Sequence, residues 1–354
     1  MLPVPRGWSE VTPSWLTGAL SARFPGAVVA AADVGRVEDG TNTRARVRLT
    51  YSRGAGPEWV FVKCPGRVRH RLALAALGAV ATEARLATSG EVLPLERPVP
   101  YAGGADLARL AAVVVMEDVV GAGGRPHDAS TPLAVGDVAS GLEGLARLHA
   151  AYWDRPLPAV LGFLRPWHLG QGWALVSRAN LVRGLRRLEA MGWGRLVPRR
   201  VDAPSLGRQF RHSALLAASG EQTVLHGDPH PGNTYAAAAG GTGFFDWQLA
   251  RTGHWSHDVG YFLVGSLGVA DRRANERSLL DRYLVALGRA GVPAPDRDRA
   301  WERYRATPAY GLATWLHSLA FGTFQPAHAC VATIRRFAAA YEDLETDRSL
   351  AGGA

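Results

Sequence analysis

Apolar and polar positions along the first third of the chain follow the rhythm of strands. From 44 to 51, Arg44, Arg46 and Arg48 alternate with Ala45, Val47 and Leu49, the two-residue period of a half-buried strand. Trp59-Val60-Phe61-Val62-Lys63 is a compact strand segment, and Ala111 to Met116 is a short continuous apolar run suited to a buried strand. Between these lies an Ala- and Leu-rich stretch over 71–89 that predicts a helix carrying Glu83, and a short helix over 13–24 precedes the first strands. Residues 119–132 contain Gly121, Gly123, Gly124 and Pro126 and few large apolar residues, the composition of a linker. Beyond Pro132 the pattern turns helical. An amphipathic helix is expected over 133–153, with others near 173–190, 204–219, 258–267, 275–290, 298–320 and 328–345. Two short apolar segments, 223–225 and 243–245, interrupt the helices and predict short strands. The expected fold class is α+β in two lobes: a strand-rich lobe over 1–118 and a larger helical lobe over 119–354.

Composition narrows the classes. A chain of 354 residues with 47% hydrophobic and 20% charged residues is long enough for two cores and is not disordered. No apolar run reaches membrane-spanning length, and Met1 to Trp8 lacks a signal pattern. Cys64 and Cys330 show no metal-ligand spacing and read as two reduced thiols. A cytoplasmic protein with no membrane partner is therefore expected. The net charge of +9 raises nucleic-acid binding. However, the excess is spread as single arginines and short pairs such as Arg186-Arg187, so solvated surface is the simpler reading and no nucleic-acid partner is expected. One bias is more telling: of 40 basic residues, Lys63 is the sole lysine. A chain that otherwise uses arginine keeps a compact ammonium where a planar guanidinium will not serve, as when reaching a phosphate.

The candidate chemistry lies in His226-Gly227-Asp228-Pro229-His230-Pro231-Gly232-Asn233, flanked by the two short strands, with Asp246 following the second. Moving a phosphoryl group requires a positioned acceptor hydroxyl, a held metal and stabilised charge. Asp228, in a turn after a strand, can accept a hydrogen bond from a hydroxyl. The Asn233 amide oxygen and the Asp246 carboxylate are hard oxygen donors suited to Mg²⁺. Taken singly, each is an ordinary turn or cap residue. His226 and His230 could be metal ligands, but no third ligand of zinc-like spacing accompanies them.

The joint pattern, His-Gly-Asp-x-x-x-x-Asn followed by apolar-apolar-Asp, resembles the aminoglycoside phosphotransferase and choline kinase superfamily, relatives of protein kinases. It is most similar to the branch of bacterial antibiotic phosphotransferases and ecdysteroid-kinase-like proteins. The resemblance extends to Asp246-Trp247-Gln248, to 257–263 and to 145–153, and covers residues 30–325. It implies a bilobal protein-kinase-like fold, with Asp228 as catalytic carboxylate and Asn233 and Asp246 as metal ligands. His226 and His230 would support the catalytic loop, and Asp258 would brace the lobe. The resemblance also implies a strand lysine on the nucleotide phosphates held by a helix glutamate, here Lys63 and Glu83. Gly40, Thr41, Asn42 and Thr43 would form a phosphate-covering loop, although a plain hairpin turn fits them equally. Met116, Glu117 and Val119 fall where the superfamily places its purine-binding hinge. The cofactors implied are ATP, or GTP, and Mg²⁺.

For the acceptor, residues 119–354 hold 26 basic and 20 acidic residues. This favours a neutral or anionic hydroxylated compound over a polycation. The expected contacts are Trp167, His168, Trp173, Arg178, Trp247 and Trp255, with Gln171 and Arg183 nearby. Competing functions are weaker. A pseudokinase scaffold should have lost catalytic residues, and a protein kinase should carry an activation segment between Asp246 and Asp258.

Overall fold

A computed structural model describes residues 2–166, 178–322 and 324–352. Helix α1 (Pro13–Leu20) opens with the Thr12 side chain accepting from Trp15 N at 3.3 Å, and Pro13 supplies its first turn. Five strands follow: β1 (Val28–Val34), β2 (Thr43–Arg53), β3 (Trp59–Cys64), β4 (Pro100–Asp106) and β5 (Ala111–Glu117). They form one antiparallel sheet in the order β1-β2-β3-β5-β4.

The two-residue period assigns the faces of this sheet. Val60, Val62 and Cys64 of β3 join Val47, Leu49, Val113 and Val115 over Leu16 and Leu20 of α1. The intervening positions, Phe61 and Lys63, therefore face the other way, toward the rest of the molecule. On that face Phe61, Val114 and Met116 pack on Ala84.

The helix expected over 71–89 is two helices, α2 (Val68–Ala76) and α3 (Thr82–Thr88). Gly78, at φ +68°, lies in the break; this left-handed conformation ends a helix at little cost only in glycine. Ala79 and Val80 thus lie in a turn and do not share a helical face with Glu83, which sits in the first turn of α3.

The second lobe is built on a larger apolar core. Its helices are α4 (Val135–Ala151), α5 (Arg178–Ala190), α6 (Ala203–Ala217), α7 (Ser256–Ser266), α8 (Val269–Arg289), α9 (Arg297–Arg305), α10 (Pro308–Phe321), α11 (Ala327–Asp343) and α12 (Thr346–Gly352). The helix expected over 298–320 is broken before Pro308, whose ring cannot continue a helix. Every residue of α7 is buried, so this helix runs through the core and shows no polar face. Both short strands are present, and each finds partners the sequence did not announce. Strand β7 (Gln222–Leu225) pairs with β10 (Arg251–His254). Strand β9 (Thr242–Phe244) pairs with β8 (Thr234–Ala236), which pairs with β6 (Arg125–Pro126) inside the expected linker. The catalytic-type loop and Asp246 are thereby held between two small sheets. No helix among the described residues is long and apolar enough to cross a membrane, and both cysteines are buried and unpaired.

Candidate active site

Strand β3 delivers Lys63 to the cleft face, where it is buried between two carboxylates. Its Nζ lies 2.8 and 2.9 Å from the Glu83 oxygens and 3.0 Å from Asp246 Oδ1. Burial alone would lower the ammonium pKa, but the two carboxylates outweigh it and raise it. Lys63 in turn holds the Asp246 carboxyl below its ordinary value against burial. Glu83 moves the other way, because its own burial and the charge of Asp246 outweigh the attraction of Lys63. Glu83 also accepts from Trp247 N at 3.2 Å. Asp246 adopts the left-handed conformation, φ +66°, uncommon for a residue with a side chain and a feature of functional sites.

The loop after β7 is fixed from below. Asp258, on the buried helix α7, accepts from His226 N at 2.6 Å and Gly227 N at 3.0 Å. The His226 ring donates from Nε2 to Phe245 O at 3.0 Å and accepts at Nδ1 from Asp228 N at 3.3 Å. Both contacts fit a neutral imidazole, and burial lowers its pKa. Gly227 is at φ +85°, and a Cβ there would sit 2.1 Å from Leu249 O. His230 accepts from Gly232 N at 3.1 Å and packs edge-on against Trp315; burial pushes it down to about 3.

These supports aim Asp228 into a cavity of about 400 Å³. Asn233 Nδ2 donates to the Asp228 main-chain oxygen at 2.9 Å and to Oδ2 at 3.2 Å. This commits the amide nitrogen, so Oδ1 is the atom of Asn233 that could hold a metal. The Tyr261 hydroxyl also faces the carboxylate. Burial, and then the nearby Asp246 charge, push Asp228 up to about 8.

Lys63, Asp228, His230, Asn233 and Asp246 line this one cavity together with Gly40, Thr41 and Asn42. Asn42 Nδ2 donates to Gln248 Oε1 at 3.2 Å, tying the β1–β2 connection to the segment after Asp246. Thr43 lies behind this loop and accepts from Trp8 Nε1. Met116, Glu117 and Val119 stand outside the large cavity. Glu117 N is committed to Val99 O at 2.8 Å, and Met116 lines a separate recess of about 20 Å³ with Glu83, Phe245 and Trp247.

The expected acceptor residues fare differently. Trp167, His168, Gln171 and Trp173 lie outside the described residues. Arg178 is exposed at the start of α5, and Arg183 lines a surface hollow with it. Trp255 is 1% exposed and stacked on Tyr283. Trp247 is buried against the His226 ring. Both belong to the core because burial takes their whole ring surface, so the expectation of acceptor contacts is corrected for these two. Sequence reading missed Arg251, Tyr310, Trp315 and the end of α2, all of which line the cavity. Only Tyr261, inside 257–263, carried a signal.

A two-lobed α+β chain with these charged groups gathered in the inter-lobe cleft has the architecture of the protein-kinase-like phosphotransferases. Residues 33–306 match the model of the phosphotransferase enzyme family known as APH, so the chain belongs to that family of kinases acting on hydroxyl groups of small molecules. Among solved structures it is similar to a putative aminoglycoside phosphotransferase from Ralstonia eutropha JMP134 (16% identity, 94% of this chain and 98% of that one, TM-score 0.52). It is also similar to a choline kinase from Cryptosporidium parvum (10% identity, 90% and 91%, TM-score 0.54). A macrolide 2′-phosphotransferase type I aligns over 94% of this chain and 97% of its own at 17% identity, with a TM-score of 0.48. The first two likenesses concern the fold alone. No curated protein matches the sequence.

Proposed function

We propose that the chain transfers the γ-phosphoryl group of ATP or GTP to a hydroxyl of a small molecule, such as an antibiotic or another natural product. The observation that carries this reading is that Lys63 of the first lobe, held by Glu83, and Asp228 and Asp246 of the second open onto one cavity. Asp228 accepts the hydrogen bond of the acceptor hydroxyl and orients its oxygen toward phosphorus. The new O–P bond forms as the bond to the departing diphosphate breaks, and the hydroxyl proton passes to Asp228. A carboxylate with a raised pKa suits that role. Lys63, held by Glu83, contacts the nucleotide phosphates, and the loop at 40–43 covers them.

A divalent cation fits the donor set. Asp246 and Asn233 Oδ1 are hard oxygen ligands on the cavity wall. Among the described residues no group of three His, Cys, Asp or Glu side chains could enclose a metal without help. The cation, Mg²⁺, would neutralise phosphate charge.

The test is ADP release over a panel of hydroxylated acceptors, together with titration of Mg²⁺-nucleotide binding. Wild type should bind nucleotide and release ADP with the right acceptor. Asp228→Asn should bind nucleotide and lose transfer by about 10²–10⁴-fold. A wild-type chain that binds no Mg²⁺-nucleotide at millimolar concentration would sink the reading.

A further inference from the structure

The cavity extends beyond the transfer groups, and its far half is built from elements with no assigned role. One wall is α10, with Trp315 and His317. The roof is the end of α2, with Leu74 and Leu77, and Phe324 closes the end. The roof is docked: His70 of α2 lies against the Phe324 ring, centroids 5.5 Å apart.

Two buried polar atoms of this wall have no hydrogen-bond partner, Trp315 Nε1 and His317 Nδ1. The residues are only 2% and 7% exposed. Trp315 Nε1 leans toward the Tyr261 hydroxyl without reaching hydrogen-bond geometry. Buried N–H groups are rarely left unpaired, so an unpaired indole N–H on a cavity wall points to an acceptor atom brought by a ligand. Burial pushes His317 down to about 4, so its ring is neutral at pH 7.

Charge narrows the ligand. Among the described residues, the carboxylates of the cavity wall are Asp39, Asp128, Asp228 and Asp246. Asp39 pairs with Arg67 at 2.5 Å. Asp128 accepts from Ser130 N at 2.7 Å and from the Ser130 hydroxyl. The other two serve transfer. Asp39 and Asp128 are thus already partnered, and the far wall is mainly apolar and aromatic, which gives the several ammonium groups of a polycation few places to be received. The wall arginines are engaged as well, Arg44 with Glu38 and Arg251 with Leu249 O.

We propose that the pocket between α2 and α10 binds the acceptor as an uncharged amphiphilic alcohol. Its apolar ring face lies between Leu74 and Trp315, and one of its oxygens accepts from Trp315 Nε1. His317 supplies a second, neutral polar contact. The role as acceptor rests on the phosphotransferase reading; the binding does not, and it is measured without nucleotide.

The experiment is saturation-transfer NMR on the full chain with four probes: 4-nitrophenyl β-D-glucoside, methyl α-D-glucoside, kanamycin and choline. The aryl glucoside should bind, and more tightly than the other three. Trp315→Phe, which keeps the ring and removes the N–H, should weaken it about tenfold. Leu74→Trp, which fills the roof, should abolish it. Mg²⁺-ATP titration of each variant serves as the fold control. The proposal is overturned if the aryl glucoside does not bind, if kanamycin or choline binds more tightly, or if neither variant changes binding. Wild type that binds the aryl glucoside as expected but not Mg²⁺-ATP refutes the phosphotransferase reading and leaves the pocket assignment standing.

Discussion

Replacing Lys63 with methionine keeps the stem and removes the charge that two buried carboxylates share. At an effective dielectric of about 20, each of the two contacts near 3 Å has a gross attraction on the order of 5 kcal/mol. Much of this is offset by the cost of burying the ammonium, so the net loss expected is about 3–5 kcal/mol, typical when one member of a buried ion pair is removed. The pH dependence is the sharper test. Without Lys63, Glu83 and Asp246 repel each other in a buried site, and the folded variant takes up a proton near neutrality. The unfolded chain binds no such proton above about pH 5. The folded variant then carries more protons than the unfolded one, and its stability falls by about 1.4 kcal/mol per pH unit as pH rises. In the wild type Asp246 behaves oppositely. Its lowered pKa contributes stability above the unfolded value, lost only as pH falls through the folded one. The titration of Asp228 is common to both proteins and largely cancels. Urea unfolding followed by circular dichroism at pH 6 and pH 8 should therefore give a larger loss at pH 8, by about 1–2 kcal/mol. A loss below about 1 kcal/mol, or one equal at both pH values, would refute the buried three-charge account.

Three further expectations follow from the same geometry. Because Asp228 is pushed up to about 8, kcat/KM should climb between pH 6 and 8 as the carboxylate forms. Its raised pKa also costs stability as pH rises from the unfolded value to the folded one, so thermal melts should show Asp228→Asn gaining more over wild type at pH 8 than at pH 5. Gly227→Ala places a Cβ 2.1 Å from Leu249 O at φ +85° and should cost about 2–4 kcal/mol, with a larger loss of transfer than of nucleotide binding. Trp255→Phe removes an unpartnered N–H inside the core and should cost about 1–3 kcal/mol while leaving the acceptor KM unchanged; a raised KM would restore Trp255 to the acceptor site.

The parts of the site that could be read from the sequence are those set by local spacing. Strand period puts Lys63 on the face opposite Val62 and Cys64, and the Gly/Pro-rich loop between two short apolar segments puts Asp228 and Asn233 within hydrogen-bond reach of each other. The meeting of Lys63 with Glu83 arises differently from the face argument, because the helix breaks at Gly78 and Glu83 enters from the first turn of α3. What resisted reading is set by packing. Trp255 sits in a polar stretch, Thr252 to Asp258, and Trp315 in a largely apolar one, Gly311 to Leu316, the reverse of what their surroundings would suggest. One is sealed against Tyr283 and the other borders a cavity, and the difference is made by residues tens of positions away. Helix α10 is buried nearly all round, so it has no polar stripe to distinguish its cavity face. The roof at Leu74 depends on how α2 docks on Phe324, more than 200 residues distant in sequence.

The catalytic-type loop and the lysine are anchored in different cores, and this shapes how the site holds together. His226 and Gly227 hang from Asp258, which is fully buried and faces His149 Nε2 at 3.5 Å; their geometry belongs to the second lobe. Lys63 is fixed by the sheet of the first. Three polar ties cross to one short segment: Lys63 to Asp246, Glu83 to Trp247 N, and Asn42 to Gln248. That segment begins with Asp246 in a left-handed conformation, which costs a non-glycine residue about 1–2 kcal/mol. Glycine would remove that strain but also the carboxylate that meets Lys63 and lines the cavity. Charge thus accounts for aspartate in a strained backbone: the residue that couples the lobes is the one proposed as a metal ligand, so the contact between the lobes and the proposed metal site depend on the same side chain.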